Sequence, residues 1–227
     1  MSQEIADMAT VISPPEQATS VPEQRIVLHG VSWETYESLM ADFSDSSVPH
    51  FTYDRGTLEI MSPSQKHEEL NRNFASLVEM ITIEVGIEHR NLGSTTFKRE
   101  DLEKGFEPDS CFYFQSVERI EGKKELDLTI DPPPDLVVEI DIYNDSLDKF
   151  PLYAQFGVPE IWRYDGQAIK IFQLVGGEYQ ERDISIALPL LSGAALSTLI
   201  EASTSKKRLE WLREVRDWVR QQYAASR

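Results

Sequence analysis

The clearest pattern of polar and apolar positions follows three consecutive prolines at residues 132–134. Proline cannot donate to a β-ladder, and the β-branched residues that follow favour a strand beginning near Asp135. Because side chains alternate across a strand, Leu136 and every second residue after it form one apolar face. The opposite face carries Glu139 and Asp141, roughly 7 Å apart at about 3.3 Å of rise per residue. The pattern therefore predicts a core strand with two neighbouring carboxylates on one side.

A second pattern, with the spacing of an amphipathic helix, follows Ser64 and ends at Gly86. His67 lies on the apolar stripe of this helix, while Glu68 lies beside the stripe. A histidine in that position is either a core residue with a satisfied hydrogen bond or a ligand in the first turn, and the sequence leaves both readings open. The apolar residues of the stripe are Leu70, Phe74, Leu77, Val78, Ile81 and Val85.

Shorter patterns predict the remaining elements. Asp148 is the expected N-cap of a short helix, which places Lys149 at its first position and Pro151 in its first turn. Asp109 stands at the start of an aromatic strand over residues 109–114. The other predicted elements are a helix after Ser32, a hairpin over residues 51–61, short strands at 87–90 and 94–99, a meander over residues 160–182, and a final helix over residues 203–227.

Composition limits the class of protein. With 227 residues, of which 41% are hydrophobic, the chain can build one sizeable core, so we expect a flexible tail over residues 1–24, one domain over residues 25–202 and a C-terminal helix over residues 203–227. The single Cys111 excludes an internal disulfide, and the four histidines lack the spacing of zinc ligands. Because no stretch is apolar for the ~20 residues of a membrane span, we expect a cytoplasmic protein without membrane contact.

Charge is distributed unevenly along the chain. The formal net charge is −17, but residues 203–227 contain seven basic and three acidic residues, so the rest of the chain carries −21. An acidic protein repels polyanions as a whole. The final helix separates a basic stripe from an apolar side, so it either docks on the domain or a second subunit, or contacts a polyanion. The basic stripe comprises Lys206, Arg213, Arg216 and Arg220.

Four residues suggest a site for phosphodiester hydrolysis. Asp109 begins one strand, Glu139 and Asp141 share a face of the next, and Lys149 opens the following helix. The two neighbouring carboxylates are either a solvated strand end or part of a cation site. Hard divalent cations such as Mg²⁺ bind carboxylate oxygens and would activate water there, while Lys149 would stabilise charge on a phosphate.

The same residues carry a resemblance to a known family. The order Pro108-Asp109, Glu139, Lys149 resembles the PD-(D/E)XK, or restriction-endonuclease-like, superfamily. A longer string is similar to its Uma-type branch of predicted bacterial endonucleases, and the resemblance extends from about residue 30 to residue 190. The string comprises residues 134–140, residues 147–149, Tyr153, residues 157–162 and Asp165.

This resemblance implies an α+β fold with a mixed central β-sheet flanked by helices, to which the chain adds the C-terminal amphipathic helix. It also implies Asp109 and Glu139 as metal ligands, with a third carboxylate from the first core helix that corresponds best to Glu68. The superfamily pattern expects lysine two residues after the glutamate, where this chain has Asp141. Either Lys149 substitutes for that lysine, with Lys98 and Arg99 as weaker alternatives, or the protein binds metal without cleaving.

Three interpretations follow. The first is an endonuclease that hydrolyses DNA with Mg²⁺ or Mn²⁺, acts as a homodimer, and uses Asp109, Glu139, Lys149 and Glu68 in catalysis, with Asp141 as a further metal ligand. The second is a non-catalytic binding or regulatory protein on a nuclease-like scaffold. The third is an α+β domain whose acidic strand end is solvated.

Overall fold

The computed structural model of the protein describes residues 23–142 and 148–225, which form two β-sheets with helices packed against them. The strands are β1 Gln24–His29, β2 His50–Asp54, β3 Thr57–Ser62, β4 Arg90–Asn91, β5 Phe97–Arg99, β6 Lys104–Phe106, β7 Ser110–Tyr113, β8 Leu136–Ile140, β9 Glu160–Tyr164, β10 Ile169–Val175 and β11 Glu178–Arg182. The α-helices are α1 Trp33–Asp42, α2 Gln65–Val85, α3 Phe150–Phe156, α4 Gly193–Ser205 and α5 Arg208–Ala225. Short 3₁₀ helices cover Glu100–Leu102 and Val117–Ile120.

The larger sheet has β8 near its centre, with the strand order β11-β10-β9-β8-β7-β4. Strand β8 runs antiparallel to β7 and parallel to β9, whereas the other pairs of this sheet are antiparallel. Helices α2, α4 and α5 pack on one face, and α3 packs on the other. The expectation of a mixed sheet flanked by helices is therefore confirmed.

The alternation along β8 builds two separate cores. Leu136, Val138 and Ile140 are buried in a cluster with the apolar stripe of α2, while Val137 is buried among residues of α3 and β9 on the opposite face. Each fully buried aliphatic side chain of this kind contributes about 1.5–3 kcal/mol. Because both faces are covered, Glu139 must lie in a core and not at a solvated strand end.

A smaller antiparallel sheet has the order β1-β3-β2-β6-β5. The predicted hairpin is confirmed as β2 and β3, and its turn residues Arg55 and Gly56 have φ of 41° and 90°, as a type I′ turn requires. Helix α1 packs against this sheet through Tyr36, which is buried with Phe51 and Tyr53. The sequence patterns did not show that the strands divide into two sheets.

The ends of α2 follow the predicted capping. Ser64 is the N-cap, and its side chain accepts a hydrogen bond from the His67 N–H at 3.2 Å. Gly86 ends the helix in the left-handed region with a φ of 78°. This arrangement orients the first turn of α2.

Helix α3 begins one residue later than predicted. Lys149 is its N-cap residue, not its first helical residue, and Phe150 is the first residue of the helix. Asp148 still stabilises the N-terminus of α3, because its carboxylate accepts a hydrogen bond from the Phe150 N–H at 3.1 Å. The ammonium group of Lys149 therefore extends from the start of the helix.

The predicted final helix is divided. Helix α4 ends at Ser205, and α5 begins at Arg208. Helix α4 was not predicted, although Ser192 caps it and Leu196, Leu199 and Ile200 on one side of it are buried. Helix α5 packs on α2 and α4 through Trp211, Val215 and Val219, and Arg220 pairs with Glu84 of α2 at 2.7 Å.

Glu23 and Gln24, which the sequence assigned to the tail, belong to the folded domain. Residues 1–22 lie outside the described part of the chain, but Glu23 is buried and β1 already begins at Gln24. Within residues 23–142 and 148–225, none of the helices combines the length and the apolar character that crossing a membrane requires.

Candidate functional site

Asp109 and Glu139 meet where β7 and β8 run side by side. Asp109 immediately precedes β7, whose Ser110 lies opposite Val138 of β8. The Asp109 Oδ2 accepts a hydrogen bond from the backbone N–H of Ile140 at 2.7 Å, so the carboxylate lies against the residue that follows Glu139. The sheet register therefore brings together two acids that are 30 positions apart in the sequence.

Asp109 is held from α2 as well. The Nε2 of His67 lies 3.2 Å from Asp109 Oδ2, and the side chain of Asn71 donates to the backbone carbonyl of Asp109 at 2.7 Å. Burial acts to raise the pKa of Asp109, but its interactions with His50, His67 and Lys149 outweigh burial and hold that pKa well below its usual range. Asp109 is therefore ionised at neutral pH although only 1% of its surface is exposed.

Glu139 is bound by two side chains of the α3 region. Lys149 Nζ donates to Glu139 Oε2 at 2.9 Å, and the hydroxyl of Tyr153 donates to Oε1. Burial is the main reason why the pKa of Glu139 is raised to about 7, and the charges of Asp109 and Asp141 add to the effect against the opposing charge of Lys149. The nearby carboxylates raise the pKa of Lys149 despite its burial, so this residue is a permanent cation and not a base.

Asp141 is neutralised by arginines. Arg163 Nε donates to Asp141 Oδ2 at 2.8 Å, and a guanidinium nitrogen of Arg25 lies 3.6 Å from Oδ1. Arg25 also pairs with Glu23 at 2.6 Å and with Glu59 at 3.3 Å. The carboxylate predicted as a further metal ligand is thus engaged by two guanidinium groups.

Glu68 points away from this cluster. Its side chain is 35% exposed, lies 3.8 Å from Arg72, and lines a groove of about 450 Å³ beside α5. The residue of the first turn of α2 that reaches Asp109 is His67, which is fully buried. Neighbouring helical residues project about 100° apart, so the two side chains of this turn point to different surroundings. The structure does not bring Glu68 to the position that the resemblance implied.

The two weaker cation candidates are engaged elsewhere. Lys98 pairs with Glu37 at 2.6 Å, and Arg99 pairs with Asp101. The first ion pair joins β5 to α1, and the second joins β5 to the 3₁₀ turn that follows it. Lys149 is therefore the predicted cation that reaches Glu139.

Sequence reasoning missed several members of the cluster. Glu23 falls within the predicted tail, and Arg25 received no role. The two side chains pair with each other, but their contacts with Glu59, Asp141 and His67 join residues that are distant in sequence and leave no local signal. His50 also carried no signal, although its Nδ1 lies 3.7 Å from Asp109 Oδ1. Tyr153 was detectable, since it follows Lys149 by four residues and shares its face of α3.

The donor atoms are compatible with a divalent cation. The described contacts join five carboxylates to three permanent cations and two imidazoles. The carboxylates are Glu23, Glu59, Asp109, Glu139 and Asp141, and the cations are Arg25, Lys149 and Arg163. Carboxylates that are buried this close together favour the binding of protons or of a cation.

Several buried polar atoms in the same place accept or donate no hydrogen bond. They include Asp109 Oδ1, His50 Nδ1 and Glu23 Oε2. In the described part of the chain, however, no three His, Cys, Asp or Glu side chains are already arranged as a ligand set. Asp109 therefore has an oxygen available for an ion, whereas Glu139 would have to exchange a hydrogen bond with Lys149 or Tyr153 for it.

Comparisons with known proteins support the family and the fold. The family model Uma2, described as "Putative restriction endonuclease", matches residues 33–204. A crystal structure of a "putative nuclease belonging to DUF820" from Anabaena variabilis ATCC 29413 matches with a TM-score of 0.53 and 16% sequence identity, over 75% of this chain and 99% of that chain. No curated protein matches. The matched residues 33–204 include Asp109, Glu139 and Lys149, but β1 precedes them and α5 follows them.

Proposed function

Because the chain belongs to the Uma2 family, we propose that it is an endonuclease that hydrolyses phosphodiester bonds in DNA with a divalent cation, Mg²⁺ or Mn²⁺. The observation that carries the proposal is the cluster of Asp109, Glu139 and Lys149, which three separate elements assemble in one buried place. Two carboxylates that can hold a cation and a lysine that keeps its charge are groups that metal-assisted hydrolysis can use.

The residues of the cluster have distinct roles in this proposal. Asp109, through its available Oδ1, and Glu139 would hold the cation. When bound, Mg²⁺ would lower the pKa of a water molecule and offset the charge of the scissile phosphate. Lys149 keeps its proton and offers a positive charge to the phosphate oxygens as negative charge develops on them. His67 and Tyr153 orient the two carboxylates through hydrogen bonds.

The net charge of −17 opposes the binding of DNA, which is itself negatively charged. Affinity for DNA comes largely from cations that neutralise phosphates. The basic residues of α5 are partly engaged, since Arg220 pairs with Glu84 and Arg216 pairs with Asp217. We therefore expect weak binding that depends strongly on salt, with cleavage most rapid at low ionic strength.

The proposal is tested with purified protein, supercoiled plasmid and Mg²⁺ or Mn²⁺. We expect nicking by the wild type, loss of activity in Glu139→Gln, and a decrease of about 10²–10³-fold in Lys149→Met, because that variant removes a cation from the developing charge. Glu68→Gln is the matched control, since it removes a carboxylate of α2 outside the cluster and should leave the rate unchanged. Nicking that persists in EDTA and in Glu139→Gln would exclude this mechanism.

A second candidate is a non-catalytic binding or regulatory protein on the same scaffold. The observation that favours it is burial, because only 4% of Glu139 and 6% of Lys149 are exposed and both oxygens of Glu139 already accept hydrogen bonds. In this case neither Mg²⁺ nor Mn²⁺ would raise the melting temperature. A rise with Mn²⁺ that is lost in Asp109→Asn would count against it.

We also propose a homodimer. Strand β1 is an edge strand, and its residues Ile26, Val27 and Leu28 are 58%, 42% and 43% exposed. An unpaired apolar edge favours association with another strand. Light scattering of the full chain should give twice the mass of the monomer, and Val27→Lys should shift the mass toward the monomer. A wild-type protein that is monomeric at all concentrations would contradict the proposed homodimer.

A further inference from the structure

Arg25 lies at a point where carboxylates from three parts of the chain converge. Its guanidinium group is 2.6 Å from Glu23, 3.3 Å from Glu59 of β3 and 3.6 Å from Asp141, which follows β8. The Arg25 side chain is only 10% exposed, and the three acids are 7% exposed or less. A single internal cation therefore contacts three buried acids.

This convergence has the electrostatic character of a cation site. Three buried carboxylates so close together repel one another unless a cation lies between them. A guanidinium group can meet them with several donors in a plane, and its charge is not lost at any ordinary pH. The buried Glu23 Oε2 has no hydrogen-bond partner and lies 3.8 Å from His67 Nε2, so this group of acids continues toward Asp109.

The position of Arg25 depends on β1. This strand pairs with β3 in a register that places Arg25 opposite Met61 and Val27 opposite Glu59. It precedes residue 33, where the match to the family model begins. The cation is therefore supplied by a segment outside the matched region.

We propose that Arg25 is a built-in cation that occupies a second cation position in the cluster, formed by Glu23, Glu59 and Asp141. Divalent ions are thereby confined to Asp109 and Glu139. Arg25 is a positioning residue in this arrangement, because it acts through the carboxylates it holds. The inference rests on the proposed function for the ion at Asp109 and Glu139. The role of Arg25 is tested separately, by the change in the number of bound ions per chain when its charge is removed.

The experiment counts bound Mn²⁺ on the EDTA-treated full chain by isothermal titration and by the electron paramagnetic resonance signal of free Mn²⁺. The variants are Arg25→Met, Arg25→Lys and the control Arg163→Met, which replaces a side chain that is 36% exposed. We expect Arg25→Met to bind one Mn²⁺ more than the wild type. Its melting temperature should be lower than that of the wild type in EDTA and should return to the wild-type value when Mn²⁺ is added. Arg25→Lys and Arg163→Met should keep the wild-type number.

An ion number for Arg25→Met equal to that of the wild type would overturn the inference. If Arg25→Met is unfolded in EDTA, refolding by Mn²⁺ but not by NaCl of equal ionic strength supports it, and failure to refold overturns it. A wild type that binds no Mn²⁺ while Arg25→Met binds one would exclude the metal-dependent nuclease and still support the role of Arg25. The two proposals therefore fail in different ways.

Discussion

Glu139 makes the metal-free protein less stable as pH rises, and replacing it with glutamine tests the reasoning about the site. Its pKa is raised from 4.5 to about 7, mainly by burial. The folded protein therefore holds the proton more tightly than the unfolded chain does. The contribution of Glu139 to the free energy of unfolding is fully present below pH 4.5 and is lost as pH rises through about 7.

The size of the effect follows from the pKa values. At about 1.4 kcal/mol for each pH unit, the change from 4.5 to about 7 corresponds to about 3 kcal/mol between acidic and mildly alkaline solution. Glu139→Gln resembles the protonated form permanently, so it lacks this decrease. Lys149 keeps its charge in the wild type, where the carboxylates of Glu139 and Asp109 raise its pKa against burial, and Asp109 remains beside it in the variant.

The assay is urea unfolding of wild type and Glu139→Gln in EDTA from pH 5 to pH 8. The difference between their unfolding free energies should change by about 2–3 kcal/mol across this range, with the wild type losing stability relative to the variant. Mn²⁺ should restore the wild type at pH 8 and leave Glu139→Gln unaffected, because the proposed ion site uses the Glu139 carboxylate. Glu88→Gln, at an exposed position, controls for the loss of a charge. Parallel profiles for wild type and Glu139→Gln would refute the assignment of a buried, proton-binding glutamate.

Two further predictions concern stability. His67→Leu should lower the unfolding free energy by about 1–3 kcal/mol, because it removes a hydrogen-bond partner from the buried Asp109. Denaturant titration measures this loss, and a smaller loss would contradict the prediction. Trp211→Ala should cost about 3–5 kcal/mol, since this side chain is 1% exposed and its Nε1 donates to Leu199 O at 2.7 Å. Leu209→Ala, at a residue that is 62% exposed on the same helix, should change stability by less than about 0.5 kcal/mol, and equal losses at both positions would contradict the packing of α5.

The sequence by itself determined the features that depend on near neighbours. The alternation after the triple proline predicted β8 and placed Glu139 opposite an apolar face. The capping residue Ser64 and the left-handed Gly86 gave the bounds of α2. Local periodicity and capping reflect backbone geometry over a few residues, so they can be recognised without knowledge of the fold.

Only the tertiary structure decided which distant side chains meet. The register of β7 on β8 brought Asp109 to Glu139, and the orientation of α2 turned His67, not Glu68, toward them. Strand β1 carried Arg25 into the cluster, although the sequence around it shows only the short apolar run at residues 26–28. These contacts join residues far apart in the chain, and their energies depend on burial and on neighbouring charges that no local pattern contains. For this reason the acids, the lysine and His67 were predictable as candidates, while Arg25, His50 and the contacts that neutralise or orient the acids were found only in the folded protein.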